Sequence, residues 1–96
     1  MDIFKKRQQK SEQELLIEDL VKKAQAGNTE AFADIYDKFV DKIYKYLFFK
    51  VGKEEALDLT ETVFLKAWEY ITHYRFKPGS GFSSWIFRIA HNLAVD

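Results

Sequence analysis

The chain has 96 residues, 47% of them hydrophobic and 17% aromatic, with 15 basic and 15 acidic side chains that cancel to a net charge of zero. That length allows a single domain, residues 1–96, and that composition supplies a dense core under a charged surface, which excludes a disordered tail. Cysteine is absent, so disulfide frameworks, thiolate zinc sites and cysteine nucleophiles are excluded together.

No apolar run approaches the roughly 18 to 20 residues that span a bilayer, and the start, MDIFKKRQQKSEQELL, lacks the apolar centre of a signal peptide. A cytoplasmic protein with no membrane insertion is the expectation. The zero net charge hides an uneven distribution, because residues 53–69 hold two basic and five acidic groups while residues 70–96 hold three basic and one acidic. An acidic segment therefore precedes a basic end, a pattern that points to two different surfaces.

Residues 1–11 are polar and basic around Ile3 and Phe4, a composition expected to lack order. From Glu12, the apolar positions Leu16, Ile17, Leu20, Val21 and Ala24 predict an amphipathic helix over 12–26, with Gly27 as its stop. Asn28 and Thr29 are N-cap residues for a second helix over 29–51. Its stripe runs Phe32, Ile35, Tyr36, Phe39, Val40, Ile43, Tyr44, Leu47, Phe48 and Val51, about 33 Å of helix ended by Gly52. The opposite face, Asp34, Asp37, Lys38, Asp41, Lys42 and Lys45, reads as a solvated surface laced with weak ion pairs.

A third helix over 53–73 carries the core stripe Ala56, Leu59, Val63, Phe64, Ala67, Trp68 and Ile71. It also carries a second face, Leu57, Asp58, Glu61, Thr62 and Leu65, with leucines at the ends and acids between. Either the first helix covers that face or a partner does. Pro78, Gly79, Ser80 and Gly81 then mark a loop over 74–82, and a fourth helix over 83–96 has the stripe Trp85, Ile86, Ile89, Ala90 and Leu93. The fold expected is all-α, a compact bundle of about four helices.

Catalysis finds no support in these residues. The histidines, His73 and His91, form no helical metal-binding pair, and there is no nucleophile with a base and no glycine-rich phosphate cradle. The expectation is a non-enzyme with no metal and no cofactor. The loop suits nucleic acid better: Tyr74, Phe76 and Trp85 offer ring faces for stacking, and Arg75, Lys77 and Arg88 offer charges for phosphate. Ser80, Ser83 and Ser84 add hydroxyls near a helix N-terminus, His91 an imidazole able to face phosphate, and Asn92 an amide able to reach base edges. Phe82, Trp85 and Phe87 also fit a core, whereas Arg75, Phe76 and Lys77 lie inside the loop.

Two joined motifs give a resemblance. The run ALDLTETVFLKAWEYI followed by FSSWIFRIAHNLAVD resembles region two of the bacterial extracytoplasmic-function (ECF) sigma factors, and AQAGNTEAFADIYDKFVDKIYKYL resembles the helix before it, so that residues 14–96 are covered. The resemblance implies an RNA polymerase sigma factor domain that binds the clamp helices of the polymerase β′ subunit through Leu57, Asp58, Glu61, Thr62 and Leu65. It also implies recognition and melting of the −10 promoter element by capture of the non-template single strand. By position, Tyr74, Arg75, Phe76, Lys77, Ser80, Ser84, Arg88, His91 and Asn92 would face that DNA, and an anti-sigma protein would be a further partner. The alternative is a helical protein-interaction module with no nucleic-acid binding of its own. Two departures stand out: Glu61-Thr62 occupies the place of a family Gln-Glu pair, and the loop RFKPGSG is about two residues longer than common versions. The family's second DNA-binding domain, which reads the −35 element, would follow Asp96 in a longer chain.

Overall fold

The computed structural model describes residues 12–76 and 81–95. The expected lack of order over residues 1–11, and the expected DNA contacts at Lys77 and Ser80, lie outside the described residues. The described chain is all helix: α1 (Glu12–Gln25), α2 (Thr29–Val51), α3 (Lys53–Tyr70), a 3-10 turn (Ile71–His73) and α4 (Phe82–Ala94).

The turns are tight because the capping residues are strong. After α1, Gly27 takes φ +96° and its amide donates to the Ala24 carbonyl, while the Asn28 amide donates to Lys23. These two bonds are the Schellman pattern that satisfies the free carbonyls at a helix end. Asn28 then starts the next helix, its side-chain oxygen accepting from the Ala31 amide at 3.0 Å. Between α2 and α3 one residue suffices: the Gly52 amide closes α2 on Phe48 and its carbonyl accepts from Ala56, with φ at +91°. Any side chain at Gly52 would be held in a conformation that L-residues rarely adopt.

α2 is the axis of the bundle. Ala31, Ile35, Phe39, Ile43 and Leu47 are buried along one row at intervals of four, and α1, α3 and α4 all pack on α2. The buried face is thus narrower than the apolar stripe, whose flanking Tyr36 and Phe48 are exposed. α3 buries Ala56, Thr60, Val63, Phe64 and Ala67, with the Thr60 hydroxyl returned to the Ala56 carbonyl at 2.7 Å. Trp68, expected in that core, is 38% exposed and leans on Phe32 of α2, with ring centroids 5.1 Å apart. Leu16 of α1 is likewise exposed.

The third helix ends at Tyr70 rather than at residue 73, and the tighter 3-10 turn carries Ile71 into the core. No glycine is available there to form a left-handed cap, so the chain leaves the helix by tightening its last turn. α4 starts at Phe82 and buries Phe82, Ile86 and Ala90 against α2 and α3. The acid and lysine face of α2 makes no ion pair among the described residues, whereas on α1 Lys23 pairs with Asp19 at 3.1 Å. Exposed pairs of this kind gain little over free side-chain motion.

Candidate nucleic-acid and protein interfaces

The phase of α3 is fixed by its buried row, and this decides what its other face does. With Ala56, Val63 and Ala67 inward, Leu57 is 55% exposed and Leu65 70% exposed, and Asp58 and Glu61 are exposed between them. Thr62 is half-buried, its hydroxyl donating to the Asp58 carbonyl at 3.1 Å. α1 packs on α2 and on the 3-10 turn and leaves this face open. The face continues into a groove of about 460 Å³ lined by Glu61, Phe64, Leu65 and Trp68 of α3 with Thr29, Phe32 and Tyr36 of α2. Apolar surface left open beside acids is the composition of a docking site with a polar rim.

α4 divides its residues in the same way. Its buried row leaves Ser83, Ser84, Arg88, His91 and Asn92 exposed. On the side toward α3, Trp85, Ile89, Asn92 and Leu93 form a groove of about 400 Å³ with Lys66 and Tyr70. Nothing in the sequence marks Lys66 for this groove, because its nearness to Asn92 depends on how α3 crosses α4. On the side toward α2, the Tyr46 hydroxyl donates to His91 Nδ1 at 3.1 Å in the tautomer whose proton sits on Nε2.

The start of the loop is more firmly held than its composition suggests. Gln25 of α1 donates both to the Ile71 carbonyl at 3.0 Å and to the Tyr74 carbonyl at 2.9 Å. Tyr74 is only 6% exposed, with its ring edge-on to Phe76, Phe82 and Trp85 at 5.0, 5.4 and 5.5 Å. Burial pushes its phenol above the ordinary tyrosine range. Tyr74 therefore serves as an anchor and offers no free face for stacking, contrary to the sequence expectation. Phe76 is half-buried with Lys22 Nζ 5.4 Å from its ring centroid, and Trp85 is half-buried in the same aromatic cluster. Arg75 is exposed, but Nη1 folds back to the carbonyls of Thr72 at 2.8 Å and Tyr74 at 3.1 Å. The guanidinium keeps further donors for a ligand. Among the described residues no group of three His, Asp or Glu side chains could hold a metal ion, and no helix is long and apolar enough to cross a membrane.

The profile of the sigma-70 region 2 family matches residues 35–96, from the middle of α2 to the end of the chain. The chain belongs to the sigma-70 region 2 family. Its similarity to ECF RNA polymerase sigma factors extends further toward the start. It is 40% identical over 79 residues to BldN of Streptomyces coelicolor, which covers 81% of this chain and 30% of that protein. It is 37% identical over 84 residues to SigW of Bacillus subtilis, covering 86% of this chain and 44% of the relative. The ECF RNA polymerase sigma-E factor of Haemophilus influenzae is 29% identical over 84 residues, with 88% and 43% covered. The chain thus spans less than half the length of these relatives. Within this sigma-70 region 2 domain, the family match takes in α3, the loop and α4 but not α1, the helix whose Gln25 holds the loop start.

Proposed function

We propose that this domain is the polymerase-docking and −10-recognising part of an ECF RNA polymerase sigma factor, working by binding and without catalysis. The observation that carries the reading is the open face of α3, where Leu57 and Leu65 stand exposed on a helix whose core face is already complete. Fully covering one leucine side chain is worth about 1.5–3 kcal/mol, whereas an exposed ion pair is worth about 0.2–1 kcal/mol. The leucines therefore supply most of the affinity for the β′ clamp helices, and Asp58 and Glu61 set orientation against basic groups on the partner.

The second surface is α4 with the loop. Ser84, Arg88, His91 and Asn92 project from one side of the helix, and the free amides of its first turn favour phosphate. The groove that joins Lys66 to Asn92 offers a cation and an amide to one nucleotide of the non-template strand. Arg75, Phe76, Lys77 and Ser80 are the loop residues assigned to the strand, Arg75 through the guanidinium donors not used on Thr72 and Tyr74. Unstacking a base costs a few kcal/mol, and holding the displaced strand offsets that cost without nucleotide hydrolysis. An anti-sigma protein that covered the α3 face would compete with polymerase for the same leucines.

The test is a pull-down of the 96-residue chain with a β′ clamp-helix fragment. Leu65→Glu and Asp58→Arg are each expected to abolish capture while leaving the circular dichroism spectrum unchanged. Capture retained by both variants would overturn the assignment of the α3 face.

A further inference from the structure

The flank of α4 turned toward α2 has a composition that the polymerase-docking and −10 surfaces do not use. Lys42, Lys45, Tyr46, Phe49 and Lys50 of α2 line a groove of about 600 Å³ with Phe87 of α4. No acid lines it, and among the described residues Lys42 and Lys45 form no ion pair, although Asp41 lies one turn before Lys45. Lys50 Nζ rests 5.5 Å from the centre of the Tyr46 ring. Phe49 is 79% exposed, the largest exposure among the described large apolar side chains. Tyr46 ties the groove to α4 twice, edge-on to Phe87 at 5.6 Å and through its hydroxyl to His91 at 3.1 Å.

We infer that this groove is a second track for single-stranded DNA, in which Lys42, Lys45 and Lys50 meet successive phosphates and a base stacks on Phe49. The inference rests on the reading of α4 as a DNA surface, which it extends around the helix. Three cations without an acid select a polyanion. The shape of the aromatic part separates the polyanions. Phe49 projects outward beside the lysines, its ring meeting Phe48 at 5.4 Å and otherwise largely exposed, and an exposed ring next to three cations pairs a stacking surface with phosphate contacts, as an unpaired base needs. A duplex keeps its bases stacked on one another and would leave that ring unused. From Lys42 to Lys50 the helix rises about 12 Å, a reach that takes in several backbone phosphates of an extended strand. α4 then stands as a ridge between two grooves, Lys66 with Asn92 on one flank and the α2 lysines on the other, and the captured strand crosses it.

The experiment is fluorescence anisotropy of the 96-residue chain with a labelled 12-nucleotide oligo-dT strand across a salt series. Phe49→Ala is expected to weaken binding about fivefold or more. The triple variant Lys42→Gln, Lys45→Gln, Lys50→Gln is expected to flatten the slope of log affinity against log salt by about 2, since each single-strand phosphate contributes about 0.7. All four side chains are exposed, so unchanged thermal melts are expected to accompany both variants. Arg88→Ala with Asn92→Ala separates the second track from the α4 surface. If that pair weakens binding while the Phe49 and lysine variants do not, the second track is overturned and the α4 surface stands. If none of the variants changes binding, both are overturned. Variants that keep oligonucleotide affinity but lose binding to a poly-glutamate peptide overturn the track in favour of an acidic protein. An equal or greater loss on a 12-base-pair duplex overturns its single-strand character.

Discussion

Replacing Gln25 by alanine tests how the loop is positioned, because one amide group carries two bonds to it. The side chain donates to the carbonyls of Ile71 and Tyr74, 46 and 49 residues away, from a partly buried position. Each such bond is worth about 0.5–1.5 kcal/mol net, and each acceptor keeps a second donor, the Tyr74 amide on Ile71 and the Arg75 guanidinium on Tyr74, so the expected loss is about 1–2 kcal/mol. For a domain of this size each kcal/mol lowers the melting temperature by about 4–8 °C. Gln25→Glu is expected to lose more at neutral pH, since a carboxylate cannot donate and would face two carbonyl oxygens. Their proximity raises the carboxyl pKa in the folded variant above its unfolded value, so the deficit shrinks as pH falls toward the point where the carboxyl regains a proton. Thermal melts between pH 4 and 7 supply the global readout, and hydrogen exchange at the Tyr74 amide, which bonds the Ile71 carbonyl at 3.1 Å, supplies the local one. An alanine variant with unchanged melting and unchanged exchange would refute the claim that α1 holds the loop.

Tyr74→Phe keeps the edge-on ring contacts and removes the buried phenol. The folded pKa of Tyr74 is raised by desolvation, so its contribution to stability is complete below the unfolded value near 10 and is lost as pH rises through the folded value. Melts at pH 8 to 11 should therefore show the parent losing stability at the alkaline end and the phenylalanine variant losing less. Ile43→Ala, at a site with no exposure at the centre of α2, is expected to cost about 2–5 kcal/mol by urea unfolding. Leu65→Glu should by contrast change stability by no more than about 0.5 kcal/mol in the same assay, because its side chain touches mainly solvent.

The helices were legible where local chemistry set both ends. α2 spans residues 29–51 as its capping pair Asn28 and Gly52 requires, and the second face of α3 emerges from the mismatch between Leu57, Leu65 and the core row. What a single stretch cannot reveal is which neighbour covers a given face. Trp68 has the period of a core residue, yet it sits at the rim of an open groove with its ring against Phe32 of α2. Tyr74 has the sequence neighbourhood of a loop, yet it is buried by rings from α4 and fixed by an amide from α1. Lys66 joins Asn92 only through the crossing of two helices, and the Lys42 to Lys50 groove depends on Phe87 arriving from α4. Periodicity supplied each helix face, and packing supplied the pairings between faces.

On the proposed function, one small helical domain would hold polymerase on α3 and a promoter strand on α4 at the same time. The most direct measurement is anisotropy of a labelled −10 non-template oligonucleotide against a scrambled strand, with and without the β′ clamp-helix fragment. The expected result is preference for the −10 strand, and binding that persists or strengthens when the clamp helices are bound. Equal affinity for both strands, or displacement of the oligonucleotide by the clamp helices, would contradict it.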